Sequence, residues 1–463
     1  MHREPSPEVA IVGGGLVGSL LSAFLVRRGF RVTVWEYRPD PRGAGEGGGR
    51  SFNLIVTSRG IHALRKVGLD EAVARRTVPA TGRMIHSVDG ELTFQPYGRD
   101  DSECNYSISR AALNRLLVDE AAGRGVQFRF GMRLTDVDPG EGRLTFKDTS
   151  SGQTVVEQAA VVVGADGAGS AVRAALRKLE GYEESIEPLS HGYKQLPIPA
   201  GEGGAFRIRK NALHLWPRGH VLLMALANLD GSFTATLYLP MDGASSFREL
   251  DTPEKVQTLF ERQFPDAIPL IPDLTARFFD NPTGSLATVR CSPWHVAGRV
   301  GLIGDAAHTI VPLFGQGMNC GFEDCTVLDE LLARHGRDDW ETVFRELARE
   351  RKPQADAIAD MSIENFVEIR DRVADGGFQL RKEVEHRLEH DWPGEYRSRY
   401  SMVMFGDVPY RVAREAGLIQ ERILDELCDG LDRADELDTD RARRLIRERL
   451  TPYLGRHSID LDY

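Results

Sequence analysis

The chain has 463 residues, 41% of them hydrophobic and 27% charged, with a formal net charge of -11. That length supports two or three domains around a substantial core, and the acidic balance argues against nucleic acid as a partner. Cys104, Cys291, Cys320, Cys325 and Cys428 form no CxxC pair, so neither a disulfide frame nor a metal site is expected and a reducing, cytoplasmic setting fits. The opening residues show no signal-peptide pattern. The longest apolar helix candidate, residues 16–26, is too short to span a bilayer.

Residues 9–12 are a continuous apolar run, followed by Gly13-Gly14-Gly15-Leu16-Val17-Gly18 and a helix with Leu20, Leu21, Phe24 and Leu25 turned inward. Residues 30–35 read as a second strand, closed by Glu36. A GxGxxG between strand and helix, with an acidic residue ending the next strand, is a dinucleotide fingerprint in the setting it requires. Gly13 permits the turn, Gly15 leaves room for a pyrophosphate, Gly18 lets helix pack on strand, and Glu36 offers acceptors to a ribose. The fingerprint does not itself choose between NAD and FAD.

Residues 38–50 are glycine-rich and read as a mobile loop. A helix is expected over 58–67, and a strand pair over 82–86 and 92–94, ending at Pro96-Tyr97-Gly98. Ser109 and Arg110 open a further helix. Residues 128–130, 143–147 and 155–156 resemble a small β-meander. The run 160–163 is another buried strand, and Gly164-Ala165-Asp166-Gly167 after it sets a carboxylate between small residues. From about 191 to 279 the period changes to two, giving strands at 213–216, 221–227 and 233–239 and an antiparallel sheet. Residues 254–263 are helical.

The buried run 300–303 leads to Gly304-Asp305, then to the loop Gly315-Gln316-Gly317 and a helix from Asn319. A strand, an acidic side chain and a glycine-framed helix start suit a ligand with both hydroxyls and a site of negative charge, as FAD has. From Trp340 the chain is mostly helical and dense in charge, read as solvated faces with some helix–helix pairing.

With GxGxxG, the Asp166-Gly167 motif and the Gly304-Asp305 motif in that order, the chain resembles the class A FAD-dependent aromatic hydroxylases. More closely, it resembles the branch of that family acting on kynurenine. Carrying that closer likeness are GRSFNLIVTSRGIHALRKVGL at 49–69, RMIHSVDG at 83–90, HGYKQLPIP at 191–199, HLWPR at 214–218 and FPDAIPLI at 264–271.

The resemblance implies an α/β fold: a Rossmann-like FAD-binding domain (1–75, 99–185, 285–335), an inserted antiparallel β-sheet substrate domain (76–98, 186–284) and a C-terminal helical region (336–463). It implies hydroxylation of L-kynurenine to 3-hydroxykynurenine through a flavin C4a-hydroperoxide, with tight, non-covalent FAD, transient NADPH and O2. Arg83 and Tyr97, joined by Asn365 and Tyr400, would hold the substrate carboxylate. Leu213, Met224, Leu226, Tyr238 and Phe314 would line the ring pocket, with Tyr238 polar where animal members carry Phe.

Gly13, Gly15, Leu16, Val17, Gly18, Glu36, Arg110, Asp166, Gly304 and Asp305 would bind FAD, with Gln316, Gly317, Met318 and Asn319 flanking the flavin. No residue is assigned as a catalytic acid or base, and His308 is read as a support for its loop. The C-terminal segment is not apolar enough for a membrane anchor. Rival readings are a same-fold hydroxylase for a substituted kynurenine or another aromatic amino acid in secondary metabolism, a halogenase or reductase, and a flavin-binding sensor without turnover. Monomer and homodimer both stay open.

Overall fold

The computed structural model describes residues 8–43, 53–371 and 376–461. The later part of the glycine-rich stretch and residues 49–52 of the string 49–69 lie outside the described residues. The chain separates into two compact units. One comprises Met1–Arg76, Ile108–Pro188 and Ala287–Ala359; the other comprises Thr77–Ser107, Leu189–Leu286 and Asp360–Tyr463.

The first unit is built on parallel strands, with Glu8–Val12 at the centre. Arg31–Glu36 and Gln127–Phe130 lie to one side, and Val161–Gly164 and Val300–Leu302 to the other. Val9, Ile11, Val34, Val162 and Val300 are fully buried, as continuous apolar runs must be when helices cover both faces of a parallel sheet. Strand order reverses between Glu8–Val12 and Val161–Gly164. A ligand crevice is expected at such a switch point, beyond the strands' carboxyl ends.

One sequence expectation is corrected here. Residues 127–130 are not part of a meander but pair in parallel with Arg31–Glu36. The meander is Met132–Asp138, Arg143–Asp148 and Thr154–Gln158, and Gly131, at a φ of 74°, turns the chain from one sheet to the other.

The second unit carries a sheet in which Leu213–Arg218, Val221–Ala227 and Phe233–Pro240 run antiparallel, and Gly82–His86 and Leu92–Pro96 form the expected pair. It is not wholly antiparallel: Gly82–His86 joins Leu213–Arg218 in parallel, because the long excursion between them leaves the chain free to return in either direction. One sheet face is the core, where Trp216, Leu223, Ala225, Phe233 and Leu237 pack under Phe260, Phe264, Leu274 and Phe278. The helices Gly376–Asp391, Arg399–Met404 and Tyr410–Cys428 belong to this unit. Some of their charges pair between helices, as Arg414 does with Glu364 and Asp360. No described helix is long and apolar enough to cross a membrane.

Candidate functional site

In the first unit the three motifs meet at the switch point. Gly13 has a φ of 107°, and a Cβ there would lie 2.4 Å from the Ala165 carbonyl oxygen. Gly18 has no room either: its Cβ would stand 2.0 Å from the Gly13 carbonyl oxygen. Gly15 is different, since nothing lies within 4 Å of a Cβ at that position. Two glycines therefore close the strand–helix joint, while the third keeps the start of the Leu16–Arg27 helix uncovered. Buried Glu36 fastens the loop, Oε2 accepting from the Gly14 N–H at 2.8 Å and Oε1 from the Arg38 N–H at 2.9 Å.

Gly304, at a φ of 59°, packs on Val17, whose methyls also meet the Gly321 position. Leu16 is buried beside them in sequence. Asp305 is exposed; its backbone carbonyl accepts from Thr309 Oγ1 at 2.9 Å, but its carboxylate accepts no hydrogen bond among the described residues. The surrounding chain still strips water from it and raises its pKa, an effect that His308 and Arg110 partly offset. A carboxylate so placed has acceptors to offer to hydroxyls.

The Gly317–His335 helix starts from buried Gln316 without a side-chain cap. The N–H groups of Gly317, Met318 and Asn319 have no intrahelical acceptor and no other one among the described residues. They present positive dipole ends where an anion would be favoured.

Asn319 itself has a second task. Its amide donates to the carbonyls of Ile55 and Gly315, at 2.8 and 2.9 Å, and accepts from the Thr57 N–H at 3.0 Å. A Cβ at Gly60 would press on that amide oxygen at 2.4 Å. The side chain is a clamp between the helix start and the 53–60 segment. Asp166 likewise works locally: its carboxylate accepts from Ser170 Oγ and from the N–H groups of Ala171 and Val172, closing the start of the Ala171–Leu176 helix. Burial raises its pKa against those bonds.

His308 supports its loop as expected. It is buried, with Nε2 2.6 Å from Asp324 Oδ2, and the same oxygen accepts from the Gly304 N–H at 3.1 Å. Arg351 donates to the other oxygen at 2.7 Å. Burial would lower the His308 pKa, but Asp324 reverses this and holds it well above its ordinary value. Burial would raise Asp324, but His308 and Arg351 bring it down to about 2. His308, Cys320 and Asp324 stand close enough together to hold a metal ion. The Arg351 guanidinium already supplies the positive charge there.

In the second unit Arg83 lies over two phenol rings, Tyr97 at 5.6 Å and Tyr400 at 5.1 Å, and those rings stack at 5.3 Å. The guanidinium has no salt bridge among the described residues and its Nε is buried without a partner, while the Tyr97 and Tyr400 hydroxyls beside it favour its charged form. Tyr97 Oη is buried between Arg83 and Tyr400, and burial raises its pKa, an effect that Arg83 partly offsets.

Strand register sets Arg83 opposite Leu213 and Leu215 opposite Met224. Alternation then puts Arg83, Leu213, Met224, Leu226 and Tyr238 on one sheet face, away from the core. Buried Asn365 belongs to the same unit, on the Trp340–Asp371 helix. Phe314 belongs to the first unit, in the Pro312–Phe314 turn.

Two residues here escaped sequence reasoning. Asn105 Nδ2 donates to Tyr400 Oη at 2.8 Å. Glu368 acts on Arg83 through its charge and lies one helical turn beyond Asn365, a spacing that could have drawn notice.

Residues 6–362 match the family model described as FAD binding domain. The chain is 52% identical to a kynurenine 3-monooxygenase of Myxococcus xanthus, over 99% of this chain and 98% of that one. It is 44% identical to a kynurenine 3-monooxygenase of Stenotrophomonas maltophilia, over 99% and 100%. Among solved structures, 2-methyl-3-hydroxypyridine-5-carboxylic acid oxygenase aligns with a TM-score of 0.64 at 20% identity, covering 83% of this chain and 98% of that one. A probable FAD-dependent monooxygenase from Pseudomonas aeruginosa aligns with a TM-score of 0.63 at 24% identity, covering 81% and 100%. These two carry the likeness of fold.

Proposed function

We infer, from the premise that this chain belongs to the FAD-dependent aromatic hydroxylases and within them to the kynurenine 3-monooxygenase family, that it hydroxylates L-kynurenine to 3-hydroxykynurenine with NADPH and O2. The observation that carries the substrate reading is Arg83, a cation over two phenol rings with a buried, unpartnered Nε and no salt bridge among the described residues. Such a guanidinium calls for a ligand carboxylate, gripped by paired N–H groups, with phenol and amide donors completing the shell. Tyr97, Tyr400 and Asn365 supply those donors in our reading. The apolar face of Leu213, Met224, Leu226 and Tyr238 takes the ring.

The residues of the first unit fit FAD. The uncovered N-terminus at Gly15 suits a pyrophosphate, Glu36 a ribose, and the acceptor-only Asp305 a hydroxylated chain. Leu16, Val17 and Gly18 complete the first turn, Arg110 adds positive charge, and Asp166 holds its loop closed. The free N–H groups at Gly317, Met318 and Asn319 favour negative charge on a flavin ring. Bound FAD supplies the redox chemistry and the oxygen activation. The chain's own tasks are to orient the ring, exclude water and balance charge. No general base is assigned, since an arylamine already makes its ortho carbon electron-rich. The setting we assign is cytoplasmic, supported by cysteines that stand free.

Arg83→Lys tests the carrying observation. The substitution keeps the charge and loses the paired geometry, so kynurenine affinity should fall by about 1–3 kcal/mol with FAD content intact. An unchanged affinity would remove Arg83 from the substrate site.

A further inference from the structure

Three of the strings that set this chain apart, RMIHSVDG, HLWPR and FPDAIPLI, leave residues the chemistry above does not use. In the second unit those residues converge. His86 Nδ1 stands 2.7 Å from Asp266 Oδ2, His86 Nε2 stands 2.8 Å from His214 Nδ1, and His214 Nε2 stands 2.8 Å from the Arg209 carbonyl oxygen. Trp216 stacks on His86 at 3.9 Å and donates its N–H to both Asp266 oxygens, at 3.0 and 2.9 Å. Arg218 donates to the carbonyls of His86, Ser87 and Gln263. Both imidazoles are buried, 2–3% exposed.

The proton count of this chain of contacts is fixed by its ends. A carboxylate at one end and a carbonyl at the other can only accept, so each demands an N–H. The nitrogen–nitrogen contact between the rings demands one more. Three contacts need three protons, and two neutral imidazoles supply two. The relay therefore holds one proton beyond neutral rings and an ionised carboxylate.

Two donor bonds from Trp216 and the nearby Arg218 charge favour keeping Asp266 ionised, so the extra proton rests on an imidazole. Burial lowers the His214 pKa to about 4, against the bond to the Arg209 carbonyl, which raises it. Asp89 acts on Arg218 through its charge.

The relay lies behind the substrate face. Met84, His86, His214 and Trp216 share the sheet face opposite Arg83 and Leu213. The Gly82–His86 strand meets Leu213–Arg218 through Arg83↔Leu213, Met84↔His214 and Ile85↔Leu215 alone. A slip of one residue would turn Arg83 into the core.

We propose that Asp266, His86 and His214 form a singly protonated relay that locks this register, making His86 and His214 positioning residues for the Arg83 guanidinium. The proposal rests on the reading of Arg83 as the carboxylate holder. Loss of the extra proton sets two lone pairs against each other within the relay and loosens the strand. A second extra proton sets two N–H groups against each other.

The first test uses the unmodified FAD-loaded protein labelled with nitrogen-15 histidine. At pH 7 the four ring nitrogens of His86 and His214 should give three protonated signals and one unprotonated signal. Two protonated and two unprotonated signals would overturn the relay, whatever the fate of Arg83.

The second test is kinetic. Asp266→Asn removes the counter-charge and should raise KM for L-kynurenine about tenfold, with a smaller effect on kcat. His214→Gln can still accept from His86 and donate to the Arg209 carbonyl, so it should stay nearer the parent KM than His214→Leu. A folded, FAD-replete Asp266→Asn protein with unchanged KM would overturn the positioning role. If Arg83→Lys also left substrate affinity unchanged, the fault would lie in the carboxylate reading instead.

Discussion

Asp324 shows how much one carboxylate can hold at the residue scale. It joins two cationic side chains, His308 and Arg351, to the Gly304 N–H inside a buried shell. Its pKa sits at about 2, below the ordinary carboxylate value, so its contribution to stability is present above that ordinary value and fades as pH falls toward 2. His308 is raised, so its contribution is complete below the ordinary imidazole value and fades as pH rises through the raised one. The pair is thus intact from mildly acid to neutral pH. Asp324→Asn should cost about 3–5 kcal/mol in urea unfolding at pH 7, since it strands buried positive charge. A loss under about 1 kcal/mol, the range of an exposed pair, would contradict that. His308 was legible as a loop support, because it follows Asp305 closely. Its partner was not, because Asp324 reads as one more charge on a helix. Asn319 carries the same lesson: its clamp reaches Ile55 and Thr57, more than 260 positions away, a distance no local pattern spans.

The glycine loop was the most legible element, because each glycine answers a local steric demand. The structure divides those demands in a way that can be measured. An Ala at Gly15 has open space and an ordinary backbone, φ -74°. Gly15→Ala should therefore fold as stably as the parent while binding FAD more weakly, as read by flavin titration of the apoprotein. Gly18→Ala should lose about 1–3 kcal/mol of stability, because a methyl there meets backbone that cannot yield. Equal loss of stability in both variants would contradict the division of labour.

The Gln127–Phe130 strand was less legible. Four residues of mixed polarity fit a meander as well as an edge of a parallel sheet, and only the pairing with Arg31–Glu36 decides. The parallel joining of Gly82–His86 to Leu213–Arg218 was hidden in the same way, since register is a property of two strands and not of one.

For the whole molecule, sequence order conceals which segments share a core. Residues 77–107, 189–286 and 360–463 form one compact unit although the chain leaves it twice. The Arg83, Tyr97 and Tyr400 grouping is a product of that folding. Periodicity gave no reason to join a strand arginine to a tyrosine some 300 residues later, and only the family resemblance did so. An enzyme that activates oxygen gains by delaying NADPH use until substrate is seated, and a carboxylate site of this kind can report occupancy. Hydroxylation of L-kynurenine can be followed as NADPH oxidation in the FAD-loaded protein with and without L-kynurenine, with the product identified by mass spectrometry. Oxidation should be slow alone and rise sharply with L-kynurenine, yielding 3-hydroxykynurenine, while anthranilate, which lacks the amino-acid side chain, stimulates poorly. Equal stimulation by anthranilate, or none by L-kynurenine, would contradict the account.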